Sequence, residues 1–539
     1  MRLAPTSDLW WKNAVIYCLD VETFYDADGD GCGDVAGLIE RIDHVAELGA
    51  TCVWLMPLYP TPNQDDGYDI TDYLSVDPRL GDLGDLAEAI RHANDRGLRV
   101  LADLVFNHTS IEHPWFRSAR ASRDSPYRDY YLWTDDPSHA QGTTADNWTW
   151  DEEAGQYYMH RFLPFQPDLN IVNPAVRRQI TKTVGFWLKL GVSGFRMDAV
   201  PFMCEEVGGD QPDSGEGRRW LHALREYAGR RRAGAMLMGE VNLAIDDLES
   251  YFEDHGDALH LQLGFLINQR LWLSLARGEA APLEDLIRRL PVPPPDSGWA
   301  TFLRNHDELT LDKLSEAERD DVFAAFGPEK DMQIYGHGIR RRVASMLGGD
   351  GPRLRMAWSL MLTLPGTPVL LYGDEIGMGE ELALDGRMSV RTPMQWAPGA
   401  TGGFSAAEPE RLVRPVPGGE FGPDHVNVAV QRREPGSLLA FLTRLVHRRR
   451  EAPELGLGQS TLLENEPPAL FAHRCDWQGS SVFAIHNLSD GTVTAELDLG
   501  GEVTGVEDLL ELREHRVEGG KLSVELDAYG YLWLRARRD

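Results

Sequence analysis

Cysteine is scarce in this chain, and the few cysteines are not arranged as a metal or redox motif. The 539 residues contain five of them, none in a Cys-X-X-Cys pair. An odd number without regular spacing argues against a disulfide framework and predicts reduced thiols. The opening residues 1–11 also lack the apolar stretch of a signal peptide. We therefore expect a cytoplasmic protein.

Basic residues and long hydrophobic runs are also in short supply. Lysine and arginine number 53 against 85 aspartates and glutamates, which gives a net charge of −32. This excess of negative charge disfavours binding to nucleic acid or to an anionic membrane surface. No stretch approaches the roughly 20 consecutive apolar residues of a membrane helix. The sequence predicts neither kind of partner, and it leaves open whether the chain forms a homo-oligomer.

The chain is rich in short apolar strands that alternate with amphipathic helices. Helical periodicity predicts helices at 35–48, 83–96, 174–190, 220–231, 266–276 and 437–450. Apolar runs typical of strands buried on both faces occur at 14–17, 51–56, 98–105, 194–198, 235–240, 259–263, 299–307 and 368–372. Eight strands with intervening helices predict an α/β protein built on a closed (β/α)8 TIM barrel.

Two stretches depart from this alternation. Residues 106–170 are rich in Asp, Tyr, Trp, Pro and Ser, without a long period. They are too many for an ordinary loop, so they predict a small domain inserted after strand 3 and lying over the active site. Residues 456–539 contain short alternating runs that predict a C-terminal antiparallel β-sandwich domain. The catalytic barrel then comprises residues 1–105 and 171–455.

An acidic loop follows the first strand, with aspartates that alternate with glycines. Such a loop can surround a hard cation with oxygen ligands. The spacing begins like an EF-hand, but the twelfth position is Gly37 rather than glutamate. We expect structural calcium here, with magnesium as a second candidate and an acidic turn without metal as the alternative. The expected ligands are the side chains of Asp26, Asp28, Asp30 and Asp34 and the carbonyl of Cys32.

Three predicted strands end in carboxylates, namely Asp198, Glu240 and Asp307. The strand ends of a parallel barrel meet at one mouth, so we expect these groups to converge. Glycoside cleavage with retention requires a nucleophilic carboxylate and an acid/base carboxylate about 5 to 5.5 Å apart. Arg196, two residues before Asp198, would keep that group ionised and oriented. Glu240 would need a raised pKa to donate a proton near neutral pH.

These segments resemble the conserved regions of the α-amylase family of glycoside hydrolases. The matching segments are 103–108, 194–198, Glu240 and 305–307. The resemblance implies Asp198 as the nucleophile, Glu240 as the acid/base and Asp307 as the transition-state stabiliser. It also implies sugar contacts at the cleavage point by His108, Arg196 and His306. Asp65 and Tyr68 match the part of the pocket that closes around a non-reducing terminal glucose.

Within this family the chain is most similar to the trehalose synthases, which interconvert maltose and trehalose. The similar segments are 166–170, 303–310, 338–342, 372–379 and 391–396. Arg391 is a candidate pocket arginine, with an ion pair at the barrel rim as an equal alternative. The resemblance also implies a second calcium site formed by Asn107, Asp168, Glu205 and the carbonyls of Phe202 and Met203.

Two segments depart from the trehalose synthase pattern. The acid/base is followed by Val-Asn-Leu-Ala-Ile rather than Ala-Asn-Gln-Trp-Pro, and residues 20–24 read Asp-Val-Glu-Thr-Phe where a segment of the His-Val-Arg-Ser-Phe type is expected. We therefore expect a retaining enzyme that works on small α-glucosides through a β-glucosyl-aspartate intermediate. Intramolecular conversion of maltose to trehalose is the first hypothesis, and hydrolysis of maltose, sucrose or trehalose is the second. A non-catalytic sugar-binding protein is disfavoured because no catalytic carboxylate is missing.

Overall fold

Eight parallel strands close into a barrel in the computed structural model, which describes residues 9–139, 144–204, 215–252 and 257–537. Each strand pairs with its neighbours in sequence, and the eighth pairs with the first. The strands are β1 (Ile16–Leu19), β2 (Cys52–Leu55), β3 (Arg99–Leu104), β4 (Gly194–Met197), β5 (Met236–Gly239), β6 (Leu261–Leu263), β7 (Gly298–Thr301) and β8 (Thr367–Leu371). The predicted barrel is confirmed.

Helices surround the barrel because their apolar faces cover the outer surface of the strands. The helices of eight residues or more are α1 (Val35–Leu48), α2 (Leu83–Asp95), α3 (Pro114–Ala121), α4 (Pro174–Leu190), α5 (Glu216–Arg231), α6 (Phe265–Arg277), α7 (Ala281–Arg289), α8 (Glu316–Phe326), α9 (Gly351–Thr363) and α10 (Leu438–Arg450). The first helix shows how the sequence sets such bounds: Asp34 caps its first turn, and Gly49 ends it with a positive φ of 96°. Among the described helices none has the length and apolarity to cross a bilayer.

The segment between β3 and β4 has its own small structure. It contains α3 and a three-stranded antiparallel sheet made of Trp133–Thr134, Gln156–Met159 and Trp148–Asp151. The rings of Phe116 and Trp133 stack 5.5 Å apart between these elements. An isolated bridge between His108 and Asp168 ties both ends of the segment together at the barrel mouth.

The C-terminal strands form two antiparallel sheets. They are β9 (Gln459–Leu462), β10 (Leu470–Trp477), β11 (Ser480–Asn487), β12 (Val493–Asp498), β13 (Gly505–Asp508), β14 (Glu514–Arg516), β15 (Lys521–Leu526) and β16 (Tyr531–Arg537). A six-stranded sheet has the order β9–β10–β11–β16–β13–β14, and β12 pairs with β15. Phe483 and Ile485 of the first sheet share one buried core with Leu497 and Leu522 of the second. This is the packing of a β sandwich.

One predicted strand is shorter than expected. The apolar run 299–307 predicts a strand that ends at Asp307, but β7 ends at Thr301. Beyond this point side chains, rather than a neighbouring strand, satisfy the backbone. Asn268 Nδ2 donates to the carbonyls of Phe302 and Leu303 at 2.7 and 3.0 Å, and Asn305 Oδ1 accepts from the backbone N–H of Asp307. Asp307 therefore lies on a loop above the barrel.

Candidate active site

The strand ends β3, β4 and β5 place four charged side chains at one point of the barrel mouth. Asp103 of β3 is paired in register with Arg196 of β4. Asp198 directly follows β4 after Met197, and Glu240 directly follows β5. Parallel strands bring these positions to the same level, so their side chains converge without any contribution from a flexible loop.

Arg196 is the centre of this group and is almost completely buried. Its Nη1 donates to Oδ1 of Asp198 at 2.7 Å and to Oδ1 of Asp103 at 2.9 Å. Its Nη2 donates to Oε2 of Glu240. A planar guanidinium can hold several carboxylates in fixed relative positions. Arg196 thus fixes the geometry of the two carboxylates that retention requires.

The two carboxylates have different acidities in this environment. Burial raises the pKa of Asp198 to about 6, although Arg196 opposes the rise. Burial raises the pKa of Glu240 to about 7, again opposed by Arg196. Near neutral pH the first group is therefore mainly ionised, while the second retains a substantial protonated fraction. This is the division between a nucleophile and a general acid.

The backbone after Asp198 adopts a strained conformation that supports this arrangement. Ala199 has φ of +48°, which is rarely adopted by a residue with a Cβ atom. Its N–H donates to Oε2 of Glu240 at 3.2 Å, and the N–H of Val200 donates to the Glu240 carbonyl. The turn therefore connects the end of β4 to the acid/base residue.

Asp307 approaches the site from the loop after β7 and is paired with two arginines. Its Oδ1 lies 2.6 Å from Nη1 of Arg387 and 2.8 Å from Nη2 of Arg391. Burial alone would raise the pKa of Asp307, but its interactions with His306, Arg387 and Arg391 hold the pKa well below its usual range. This carboxylate is therefore a permanent negative charge at the pocket, as stabilisation of a sugar cation requires.

Tyr68 and His306 form a buried pair beside these acids. Their rings stack, and the Tyr68 hydroxyl lies 2.6 Å from Nε2 of His306 and 3.2 Å from Oδ2 of Asp103. Burial lowers the pKa of His306 to about 3, so the ring is neutral. Neutral donors of this kind are suited to sugar hydroxyls, because they add no competing charge.

The inserted segment contributes to the same mouth. Gln166 donates to Oδ2 of Asp65 at 2.8 Å, and the ring of Phe162 lies edge-on to His108 at 5.3 Å. His108 Nε2 lies 3.0 Å from the Tyr68 carbonyl, and burial lowers the pKa of His108 to about 4. The structure thus brings together all the residues predicted to bind sugar, although the sugar contacts themselves remain predictions.

Arg391 and Arg387 have different positions relative to the pocket. Arg391 is fully buried and forms ion pairs with Asp66 and Asp307, while its role as a pocket arginine stays a prediction. Arg387 is about a quarter exposed and lies within 4.0 Å of Asp65 and Glu308 in addition to its contact with Asp307. Arg387 was not among the residues predicted from the sequence. Its position four residues before Arg391 was the available signal.

The acidic loop after β1 has part of the predicted metal geometry. Carboxylate oxygens of Asp26, Asp28 and Asp34 lie within 4.8 Å of one another, a set of hard oxygen donors that fits calcium or magnesium. Asp34 also caps α1 through its Oδ1, and its Oδ2 accepts from the backbone N–H of Ala27 at 3.0 Å. Asp30 lies outside this trio and accepts from the N–H of Cys32. The residues present fit a cation, with Asp30 in a peripheral position.

The second predicted metal site has an arginine beside it. Asn107 donates to Oδ1 of Asp168, while Nε of Arg161 lies 3.3 Å from Oδ2 of Asp168. A guanidinium in this position provides positive charge to the same carboxylate that a metal would use. Met203 and Phe202 are in the short helix Val200–Cys204 after Asp198. Glu205 lies outside the described residues.

Comparison with known proteins agrees with this geometry. The family described as "Alpha amylase, catalytic domain" matches residues 18–322 and 329–458, and "Sucrose hydrolase-like, C-terminal domain" matches 479–535. A trehalose synthase of Thermus thermophilus is 42% identical over 504 residues, covering 91% of this chain and 52% of that protein. The chain thus spans about half the length of that relative.

Two further relatives are similar over most of their length. The trehalose synthase/amylase TreS of Mycobacterium tuberculosis (strain ATCC 25618 / H37Rv) is 37% identical, over 98% of this chain and 91% of that protein. The crystal structure of the alpha-glucosyl transfer enzyme XgtA has a TM-score of 0.80 at 27% identity, covering 98% of this chain and 99% of its own. The chain is an enzyme and belongs to the α-amylase family of glycoside hydrolases and transglucosidases.

Proposed function

We propose that the protein transfers an α-glucosyl unit with retention and converts maltose to trehalose within one closed site. One observation carries this proposal: Arg196 contacts both Asp198 and Glu240. Asp307, which is paired with two arginines, lies beside them. Similarity to trehalose synthases over most of the chain supports the choice of reaction.

In the first step, an Asp198 oxygen attacks the anomeric carbon of the non-reducing glucose. The bond from that carbon to the glycosidic oxygen breaks, and Glu240 gives its proton to this oxygen. The products are a β-glucosyl ester of Asp198 and a free glucose. Asp307 faces the positive charge that develops on the ring between these two states.

In the second step, the freed glucose turns and presents its anomeric hydroxyl to the ester. Glu240, now ionised, removes the proton from this hydroxyl, whose oxygen displaces Asp198. The product is trehalose, and the double displacement retains the α configuration. The contacts of Phe162 with His108 and of Gln166 with Asp65 support a covered pocket that keeps the glucose in and water out.

Hydrolysis is the second candidate function, because water can attack the same ester. The segment after Glu240 favours this alternative, since it lacks the Gln-Trp pair of the trehalose synthase pattern and Asn242 is turned towards Asp312 at 3.2 Å. The Mycobacterium tuberculosis relative is itself named both a synthase and an amylase.

Product analysis distinguishes the two functions. The purified protein is incubated with maltose, and separately with sucrose and trehalose, and the sugars are resolved by chromatography. Trehalose formed from maltose with little glucose supports isomerisation. Glucose as the single product rejects it in favour of an α-glucosidase, and no conversion of any of these sugars contradicts both.

We also propose a bound metal ion and a cellular compartment for the protein. We infer that the loop 26–34 binds structural calcium, because three of its carboxylates converge. The same kind of oxygen donors would accept magnesium. None of the five cysteines forms a disulfide, which supports a reducing compartment such as the cytoplasm. The substrate that we propose is a small α-glucoside.

A further inference from the structure

A buried group of charges lies behind Asp307 and has no part in the chemistry described so far. Its centre is Arg414, which lies on the long segment between β8 and α10. Arg414 is only 8% exposed. Nη2 of Arg414 contacts Oε2 of Glu22 at 2.7 Å and Oδ1 of Asp66, and Nη1 lies 3.4 Å from Oδ2 of Asp20. Oxygens of the three carboxylates lie within 4.8 Å of one another.

Asp66 connects this group to the catalytic carboxylate. One of its oxygens contacts Arg414, and the other lies 2.8 Å from Nη1 of Arg391. Nη2 of Arg391 in turn contacts Asp307 at 2.8 Å, and its Nε donates to the His306 carbonyl. Nη1 of Arg414 also donates to the Arg391 carbonyl at 2.8 Å. A continuous buried path therefore runs from Arg414 through Asp66 and Arg391 to Asp307.

The charge balance of this path depends on Arg414. Three carboxylates share Arg414, Arg391 and the more exposed Arg79, while Arg391 must also serve Asp307. Burial raises the pKa of Asp20 to about 6 and that of Glu22 to about 7, although Arg414 opposes both increases. The nearby guanidinium groups therefore do not fully offset the burial of these carboxylates. Without Arg414, the uncompensated carboxylate of Asp66 would attract Arg391 away from Asp307.

We propose that Arg414 is a positioning residue for Asp307 and acts through Asp66 and Arg391. This inference rests on the proposed role of Asp307 in stabilising the sugar cation. Glu22 and Arg414 pair directly with each other, so an exchange of the two residues would keep both charges within the group.

The experiment compares Arg414→Met, Arg414→Lys and the reciprocal exchange Glu22→Arg/Arg414→Glu with the wild type. Arg449→Met is the matched control, since Arg449 is also buried but donates to the Gly366 carbonyl before β8, at the opposite end of that strand from the mouth. The readouts are kcat and KM for 4-nitrophenyl α-glucoside, and the inhibition constants of cationic 1-deoxynojirimycin and neutral glucose. Circular dichroism identifies a temperature at which every variant is folded.

We expect Arg414→Met to lower kcat about 100-fold with little change in KM, because a small displacement of a catalytic group has an effect of this size. Deoxynojirimycin affinity should fall by a similar factor, glucose affinity should stay within about 3-fold, and the reciprocal exchange should recover most of the loss. Arg414→Lys should be intermediate and remains informative if the methionine variant does not fold. Arg449→Met should change thermal stability alone.

Wild-type kcat and deoxynojirimycin affinity in a folded Arg414→Met or Arg414→Lys would overturn the positioning role. Equal losses in Arg449→Met would do the same, because they would show a general effect of instability. Failure of the proposed function has different signatures: a wild type that does not cleave the aryl glucoside would reject the glucosyl chemistry at Asp198, and a wild type that cleaves it but forms only glucose from maltose would reject isomerisation and leave the test of Arg414 valid.

Discussion

Nη1 of Arg196 lies 2.7 Å from Oδ1 of Asp198, in a position where the strand end itself fixes both residues. The same guanidinium contacts Glu240 through Nη2. The nucleophile and the acid/base are therefore held by one rigid group on adjacent strands. The spacing and ionisation of the two carboxylates should both depend on this one side chain.

Arg196→Lys is expected to lower kcat/KM about 100- to 1000-fold, since an ammonium cannot hold Asp103, Asp198 and Glu240 with one planar fork. The measurement is steady-state hydrolysis of an aryl α-glucoside. Arg432→Lys is the control, because Arg432 pairs with Glu47 at the surface. Activity of Arg196→Lys close to that of the control would contradict this role.

The pH dependence of kcat/KM should be bell-shaped. Activity is lost as the pH falls through about 6, because the raised pKa of Asp198 leaves the nucleophile protonated there. It is lost as the pH rises through about 7, because Glu240 gives up the proton that the leaving group needs. The two limbs belong to the coupled pair. Glu240→Gln, assayed with a leaving group that needs no proton, should lose the alkaline limb. A wild-type kcat/KM that does not change with pH over this range would refute the roles of Asp198 and Glu240.

Calcium should raise the melting temperature through the loop 26–34. A ligand at 100 times its dissociation constant stabilises the folded state by about 2.7 kcal/mol. Asp28→Asn should abolish the response, because Asp28 is one of the three converging carboxylates. Asp30→Asn should retain much of it, because Asp30 lies outside the trio. Differential scanning calorimetry with calcium and with chelator measures both, and equal responses of the two variants would rule out the trio as the site.

Gly31→Ala should reduce activity from a distance. A Cβ atom at Gly31 would lie 2.1 Å from the Arg411 carbonyl oxygen, and the Gly31 carbonyl accepts from the N–H of Val413. The substitution should therefore displace the segment that carries Arg414 and lower kcat in the same way as Arg414→Met. Gly29→Ala is the matched control, with a similar positive φ and its nearest neighbour at 3.7 Å. Equal kinetics of the two alanine variants would show that backbone strain alone accounts for the effect.

The barrel and its charged strand ends could be predicted from sequence because both follow from local patterns. The helix bounds of α1 and α4 agree with the periodicity, and Asp198 and Glu240 directly follow apolar runs. In a parallel barrel, the position at the end of a strand is sufficient to place a side chain at the mouth.

The partners of these groups could not be predicted in the same way. Arg414 and Glu22 are 392 residues apart in sequence and meet because the segment after β8 packs against the loop that follows β1. Arg387 likewise reaches Asp307 across 80 residues. The predicted extent of β7 was wrong because Asn268, on α6, donates to the backbone carbonyls of Phe302 and Leu303. Such pairings depend on tertiary packing, which a single sequence does not show.

The most direct test of the account is to trap the glucosyl enzyme. The protein is incubated with 5-fluoro-α-glucosyl fluoride, whose ring fluorine slows hydrolysis of the ester, and is then digested and analysed by mass spectrometry. We predict one fluoroglucosyl group, attached to Asp198 in the peptide that contains Gly194–Met197, and none in Asp198→Ala. A label on another residue, or an unlabelled protein that still turns over maltose, would contradict Asp198 as the nucleophile.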